Sequence, residues 1–272
     1  MNYRQYPVNK NLSAFIECFW TLCADIQLPA ERLIPGGRIE WIFNFSSPLF
    51  WLISDENPCG FRMSQSILLG QRNRFFFAKQ NGATNLLGIR FKPGGLQGFT
   101  NYPASLLINR VMPAASVFKF DVDGFEKRLT SEKKEEERIG ILEILLAQHL
   151  RFNCSAQEKA MSVLDAARHA AFQFKVSDFC EAQDMHYKKL ERIFLKFAGY
   201  TPISYFQLLR FNYALRQLLD QNKALTKIAY DCGYFDQSHF IRSFKQFAGL
   251  CPGDLVMDQN KIVNLLVRHQ AV

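Results

Sequence analysis

The feature that most constrains this chain is an internal repeat with an offset of 50 residues. Residues 192–202 read RIFLKFAGYTP and residues 242–252 read RSFKQFAGLCP, so that one Arg, two Phe, Ala, Gly and Pro coincide. Upstream, Leu190 corresponds to Phe240. A unit that occurs twice calls for one structural explanation, and we therefore expect the same supersecondary motif in both copies.

Each copy carries the signals of two helices joined by a tight turn. Gly199 and Gly249 can take the left-handed conformation that closes a helix, and the proline three residues later cannot continue it. Apolar residues recur at helical spacing before each of these glycines, and a shorter apolar stretch lies further upstream. Gly233 supplies the turn between the two helices of the second copy. This layout predicts two helix-turn-helix units.

The outer face of the second helix in each copy is polar and rich in base-reading side chains. In the first copy the candidate DNA contacts are His186, Tyr187, Lys188, Lys189, Glu191, Arg192 and Lys196. In the second copy they are Asp236, Gln237, Ser238, His239, Arg242 and Lys245. Arg and Lys pair with guanine edges, Gln pairs with adenine, and Glu accepts from cytosine. A solvated surface explains one such face equally well, but two matched copies favour DNA binding.

The segment between the two copies predicts a helix of useful length. Residues 202–221 start with a proline suited to a first helical turn and continue with regularly spaced apolar residues. A helix of about 20 residues spans roughly 30 Å, and successive major grooves on one DNA face lie about 34 Å apart. The linker therefore predicts that one chain covers two adjacent half-sites.

The N-terminal part has a different pattern. Up to about residue 120, apolar runs at 39–45, 66–69, 75–78 and 85–91 alternate with Gly, Pro and Asn turn signals. This predicts a β-sandwich or barrel. A helix over 132–152 follows, and its apolar face packs either on the β-structure or on a partner subunit. We expect a two-domain α+β chain: a β-rich domain over 1–152, an all-helical domain over 153–260 and a tail over 261–272, with a hinge around 152–155.

Composition excludes several classes of function but does not locate the DNA site. The net charge of +8 suits an anionic partner, yet it divides equally at residue 153, with +4 on either side. Seven scattered cysteines without C-x-x-C spacing argue against a disulfide framework and a zinc site. No histidine occurs in residues 1–148, so the β-domain alone cannot supply two histidine ligands. We expect no cofactor and no metal.

The chain also lacks the signals of membrane insertion. No apolar run reaches the roughly 18 residues of a membrane span, and the first residues, MNYRQYPVNKNL, have no signal-type apolar core. We expect a cytoplasmic protein.

The second copy resembles a known family. Residues 233–245, GYFDQSHFIRSFK, together with Gly249 and Pro252, resemble the signature of the AraC/XylS transcription regulators. The resemblance spans about 100 residues and includes both units, the second more specifically than the first. It implies that the second helix of each unit enters the major groove of double-stranded DNA. By motif position it implies base contacts for Lys188, Glu191 and Arg192, and base or phosphate contacts for Gln237, Ser238, His239 and Arg242.

The N-terminal part resembles an uncharacterised β-rich domain that often precedes such modules. The matching segments are 15–20 (FIECFW), 33–37 (LIPGG), 70–71 (GQ) and 88–95 (GIRFKPGG). In many family members this position holds a cupin-like sensor for a small molecule or a dimerisation unit. The resemblance therefore implies a small-molecule effector, a homodimer and RNA polymerase as candidate partners. Candidate pocket residues are Arg38, Glu40, Trp41 and Arg90, although charged strand residues of this kind also occur simply facing solvent.

Three functions remain in competition. The first is ligand-responsive transcription control, by activation or repression. The second is an enzyme, such as a DNA-repair methyltransferase, fused to the DNA-binding module; it needs a reactive cysteine in a basic setting, which Cys18, Cys23 and Cys59 lack in the sequence. The third is a DNA-binding protein that acts without a ligand. We expect a regulator and not an enzyme.

Overall fold

The N-terminal half of the chain forms two antiparallel sheets. The computed structural model describes residues 2–25, 30–46, 49–52, 61–63, 66–80, 82–151, 154–170, 175–219 and 223–257. Within them the strands are β1 (Asn2–Tyr6), β2 (Ile16–Ala24), β3 (Glu31–Leu33), β4 (Glu40–Asn44), β5 (Leu49–Leu52), β6 (Phe61–Met63), β7 (Ile67–Leu69), β8 (Phe76–Gln80), β9 (Thr84–Phe91) and β10 (Val111–Pro113). One sheet has the order β1-β2-β9-β4-β7-β10, and the other has the order β3-β8-β5-β6. The four predicted strands are confirmed as β4, β7, β8 and β9.

The two sheets pack face to face, as the predicted sandwich requires. Side chains alternate between the two faces of each strand. On the inner face Trp20 and Ile42 of the larger sheet share a core with Phe76 of the smaller one. On the outer face Trp41 and Phe91 belong to a second core. The larger sheet is thus buried on both sides.

Two helices cover that outer face. They are α1 (Val122–Ser131), which the sequence analysis did not predict, and α2 (Glu135–His149). Leu142 and Leu146 of α2 are fully buried in the core of the sheet's outer face. The predicted helix at 132–152 is therefore confirmed with slightly shorter bounds, and its apolar face packs within its own chain.

The rest of the described chain is helical. The helices are α3 (Cys154–Ala170), α4 (Val176–Ala182), α5 (Tyr187–Ile193), α6 (Pro202–Leu219), α7 (Leu225–Asp231), α8 (Gln237–Ala248) and α9 (Pro252–Met257). A π-type turn over Phe194–Ala198 continues α5. The linker helix predicted at 202–221 is confirmed as α6 over its described residues, and the two helices predicted in each copy are confirmed as α4, α5, α7 and α8. Helix α9 was not predicted. No helix within the described part of the chain combines the length and the apolar character that crossing a membrane would need.

The predicted hinge overlaps the start of a helix and stays a prediction. Helix α3 already begins at Cys154, so Cys154 and Ser155 belong to a helix, and the rest of the predicted hinge, 152–153, lies outside the described residues. The domain boundary at 152/153 stays a prediction, and the tail predicted over 261–272 also lies outside the described residues.

The two halves pack against each other. Ile34, from the loop after β3, is buried in the core of the helical half. A Cβ atom added to Gly37 would lie 3.1 Å from Leu208 of α6, and one added to Gly94 would lie 3.4 Å from Leu164 of α3. Glycines at these places let the loops of the β-half approach the helices closely.

Candidate nucleic-acid interface

The same hydrogen bonds build the turn in both helix-turn-helix units. In the second unit Gly233 has a φ of 70°, and the Tyr234 amide donates to the Ala229 carbonyl over 3.0 Å. In the first unit Asp184 takes the corresponding place with a φ of 48°, and the Met185 amide donates to the Cys180 carbonyl over 2.9 Å. In both turns the donor amide lies five residues after the acceptor carbonyl. This hydrogen bond is typical of a helix end that is followed by a left-handed residue. The first turn therefore forms without a glycine.

Aromatic and aliphatic side chains hold each second helix against its own core. Leu190 and Phe194 of the first unit are fully buried, as are Phe240 and Phe244 of the second. These are the apolar residues that the helical spacing predicts as core. Their burial fixes which side of each helix faces outward, because residues three and four positions apart share one face.

The two helices end differently at their predicted glycines. Gly199 and Gly249 have φ values of 84° and 73°, as predicted. Helix α8 closes with a bond from the Gly249 amide to the Lys245 carbonyl. In the first unit the Gly199 amide reaches the Phe194 carbonyl, one residue further back, and this longer bond forms the π-type turn.

The outward face of the first unit is strongly basic. Its predicted contact residues that are exposed to solvent are His186, Lys188, Lys189, Arg192 and Lys196. Tyr187 and Glu191 are half-buried, and the Tyr187 hydroxyl lies 3.4 Å from the Glu191 carboxylate. The Lys188 ammonium lies 3.5 Å from the same carboxylate. The face thus carries four basic side chains and one carboxylate that already has partners within the helix.

The second unit presents a less charged face. Its exposed contact residues are Gln237, Ser238, His239, Arg242 and Lys245. Asp236 is also exposed, but its carboxylate accepts a 2.6 Å bond from the His239 amide and caps α8. A carboxylate in this position stabilises the helix N-terminus and repels phosphate, so the structure gives Asp236 a structural role.

Two exposed aromatic residues beside this face were not among the predicted contacts. Phe235 precedes the cap of α8 and has 94% of its surface exposed, and Tyr230 near the end of α7 has 84% exposed. The signal was present in the sequence, because Tyr230 falls off the apolar spacing of its helix and Phe235 lies in the predicted turn.

The structure brings three of the predicted pocket residues, Arg38, Glu40 and Arg90, together around Glu17 and places Trp41 apart from them. Arg90 lies 2.8 Å from Glu40 and 4.0 Å from Glu17, and Arg38 also pairs with Glu17. Arg90 is almost completely buried, so it does not simply face solvent. Trp41 points to the opposite face of β4, where its indole donates to Ser66 and packs on Phe118. The four residues therefore do not line one pocket, because neighbouring residues on a strand face opposite ways.

Cys18, Cys23 and Cys232 lack the environment of reactive thiols. Burial raises the pKa of the Cys18 thiol to about 12 and that of the Cys232 thiol to about 11. Burial and the nearby Glu135 carboxylate also raise the pKa of Cys23. Cys59 lies outside the described residues. Among the described residues, no group of three or more His, Cys, Asp or Glu side chains is placed to hold a metal ion.

Two protein-family models match this chain. A helix-turn-helix domain family matches residues 179–257, and a domain of unknown function, DUF6597, matches residues 4–113. The first match covers both units described above except the start of α4. The second covers the β-sandwich, in agreement with the expectation of an uncharacterised β-rich domain.

Curated relatives share the helix-turn-helix region. The uncharacterised HTH-type transcriptional regulator YidL of Escherichia coli is 28% identical over 107 residues, which are 39% of this chain and 36% of the relative. The HTH-type transcriptional activator RhaS of Mannheimia succiniciproducens is 37% identical over 68 residues, 25% of each chain. The porin thermoregulatory protein EnvY of Escherichia coli is 43% identical over 54 residues, 20% of this chain and 21% of the relative. The chain thus spans little more than a third of the length of these relatives, or less.

A solved structure shows the same fold over both halves. The crystal structure of ToxT from Vibrio cholerae superposes with a TM-score of 0.50 and 11% identity, over 93% of this chain and 97% of ToxT. At this identity the likeness concerns the fold alone. The family matches and the repeat geometry together show a helix-turn-helix domain of AraC type in the C-terminal region and a DUF6597 domain before it, in a chain similar to known HTH-type transcriptional regulators.

Proposed function

We propose that this protein is a sequence-specific DNA-binding transcription regulator that reads two successive major grooves with α5 and α8. One observation carries the proposal. Two helices in equivalent helix-turn-helix units bury equivalent aromatic residues and expose polar, mainly basic faces. Groups on such faces reach guanine edges and phosphates. With this function we also propose a cytoplasmic location, where DNA is accessible.

The linker helix supports the reading of two grooves. Helix α6 has 18 residues, which correspond to about 27 Å. Its buried side chains, including Phe211 and Leu215, join the common core of the helical half. A helix anchored along its length can hold the two reading helices, as we call α5 and α8, about one DNA turn apart.

Selection of DNA from a random pool, followed by footprinting with the whole chain, tests the function. Arg192→Ala is expected to relax the preference at one base position and to cost about 1–3 kcal/mol on the selected site. Lys196→Ala is expected to weaken binding to all DNA similarly and to lower the dependence of affinity on salt. Lys119→Ala, an exposed lysine of the β-half, serves as the control for loss of charge. Equal weakening of specific and random DNA by Arg192→Ala would refute base reading by this residue.

We also infer that a small molecule modulates the protein through its N-terminal domain. The solved ToxT structure of the same fold was determined with an unsaturated fatty acid bound. In this chain a largely buried charged cluster of Arg90, Glu40, Glu17 and Arg38 lies in the β-domain. Footprints with and without candidate metabolites test the inference, and unchanged footprints with all of them favour the ligand-independent alternative.

The remaining partners follow from the family resemblance. We propose a homodimer formed through the N-terminal domain, which light scattering with and without DNA checks. We propose RNA polymerase as a partner at promoters, which co-purification on promoter DNA checks.

The buried thiols favour the regulator over the methyltransferase alternative. A methyl-transfer assay on alkylated DNA that produces an alkylated cysteine would reverse that order.

A further inference from the structure

The β-half of the molecule binds the same backbone atom on both reading helices. The Gln71 amide group donates to the carbonyl of Ala198 over 2.7 Å. The Arg32 guanidinium donates to the carbonyl of Ala248 over 3.3 Å. Ala198 and Ala248 are equivalent, because they lie 50 residues apart, at the offset of the repeat. Each is the last residue before the glycine that ends its helix.

These carbonyls belong to a class of groups that helices leave without partners. The last carbonyls of a helix have no acceptor role inside it and need an outside donor. A side-chain donor, and a cation in particular, is favourable at this end because the helix dipole is negative there. The β-half supplies one such donor to each unit, from Gln71 two residues after β7 and from Arg32 within β3.

Close packing surrounds both hydrogen bonds. A Cβ atom on Gly199 would lie 2.9 Å from the carbonyl oxygen of Ala104, and one on Gly249 would lie 2.1 Å from the ring of Phe75. The Arg32 guanidinium lies over that Phe75 ring, 4.5 Å from its centre. Each reading helix therefore ends against the sandwich with almost no free space.

Both donors are themselves held in place. Gln71 is only 2% exposed, and Tyr200, directly after Gly199, donates a 2.7 Å bond from its hydroxyl to the neighbouring Arg72 carbonyl. Arg32 also stacks on Phe77, its partner in the pairing of β3 with β8. A rigid sandwich thus fixes the end of each reading helix, independently of the covalent connection through α6.

We propose that the N-terminal domain is a frame that sets the separation and orientation of α5 and α8, with Gln71 and Arg32 as positioning residues that determine which half-site spacing the chain accepts on DNA. The proposal rests on the proposed function. It adds a determinant of specificity that touches no base. Each additional base pair moves a half-site by about 3.4 Å and rotates it by about 35°. A frame that holds both helices cannot follow such a change, whereas two units joined only through α6 can follow part of it.

The experiment compares spacing tolerance in full-length variants. The wild-type chain first selects its preferred two-half-site DNA from a random pool. Affinities are then measured for that duplex, for duplexes with one or two base pairs inserted, and for a single half-site. Gln71→Met and Arg32→Met remove the donors and keep much of the side-chain volume. Gln148→Met and Arg128→Met, at exposed positions of α2 and α1, are the matched controls, and Arg128→Met reproduces the loss of charge.

The wild type and both controls are expected to lose about tenfold or more in affinity when two base pairs are inserted, the scale of a lost base contact. In the double variant, which combines Gln71→Met with Arg32→Met, this loss is expected to fall to about threefold or less, with unchanged affinity for a single half-site. A double variant with the wild-type spacing penalty overturns the frame and leaves the DNA-binding function intact. A wild type that selects no DNA overturns the function and the frame with it. Arg32→Met, at a half-buried position, keeps the test usable where Gln71→Met does not fold.

Discussion

The two helix-turn-helix units use the same scaffold and differ in almost everything attached to it. Both close their turns with the same five-residue hydrogen bond, but one turns at Asp184 and the other at Gly233. The first reading helix ends in a π-type turn without a side-chain cap at its start, whereas the second is regular and capped by Asp236. The first outward face has four basic side chains and the second has two. The comparison teaches that both units keep the bond pattern and the buried aromatic residues, while their outward residues differ.

The largest effect should come from the core that the units share. Phe194→Ala and Phe244→Ala each remove a fully buried ring, and each is expected to lower the free energy of unfolding by about 3–5 kcal/mol. Urea denaturation of the whole chain measures both. Phe235→Ala, at an exposed ring, is the control and should stay within about 0.5 kcal/mol. A difference between the two core variants much larger than the measurement error would break the equivalence of the units.

The next largest effect on stability should come from the glycines that end the two reading helices, and its cause should differ between them. Gly199→Ala and Gly249→Ala each force a side chain into a left-handed backbone, which costs about 1–2 kcal/mol before any crowding. In a double-mutant cycle, Phe75→Ala should recover about 0.5 kcal/mol or more for Gly249→Ala, because the crowding atoms there belong to the Phe75 ring. It should recover nothing for Gly199→Ala, where the nearest atom is the Ala104 carbonyl oxygen. Equal recovery in both would contradict this difference.

A smaller effect distinguishes the starts of the reading helices. Asp236→Ala removes the side-chain cap of α8. It is expected to lower the free energy of unfolding by about 1 kcal/mol. His186→Ala should have little effect on stability, since the N-cap side chain of α5 makes no capping bond. Calorimetric unfolding of the two variants and of the wild type measures both effects. Similar losses in both would show that the caps are equivalent after all.

The smallest difference is in thiol reactivity. Burial raises the pKa of Cys232 in the second unit to about 11, so at pH 8 its thiolate is scarce and its peptide should be alkylated only as the chain unfolds. Cys180 in the first unit is half-buried, and although burial also raises its pKa, it should be alkylated first. Raising the pH should increase the rates at both sites, because more thiolate forms. Peptide mass spectrometry over time follows both, and faster alkylation of Cys232 would contradict the burial order.

Periodicity and repetition were sufficient to predict most of the helical half. The core residues, the closing glycines and the outward faces follow from spacings of three to four residues, which hydrogen bonds within one helix impose. The separation of Trp41 from Glu40 was also present in the pattern, because neighbours on a predicted strand face opposite ways. The pocket prediction grouped them by residue type instead, and the structure corrected it.

The sequence by itself determined that this chain has two equivalent helix-turn-helix units and which side of each faces outward, because that information is local and occurs twice. Only the tertiary structure decided where those units sit against the β-sandwich. Gln71 and Ala198 are 127 residues apart, and Arg32 and Ala248 are 216 apart. Contacts over such separations depend on strand pairing and close packing, which no spacing along the chain encodes. The turn at Asp184 belongs to the same class, since a left-handed residue other than glycine forms where its surroundings fix it.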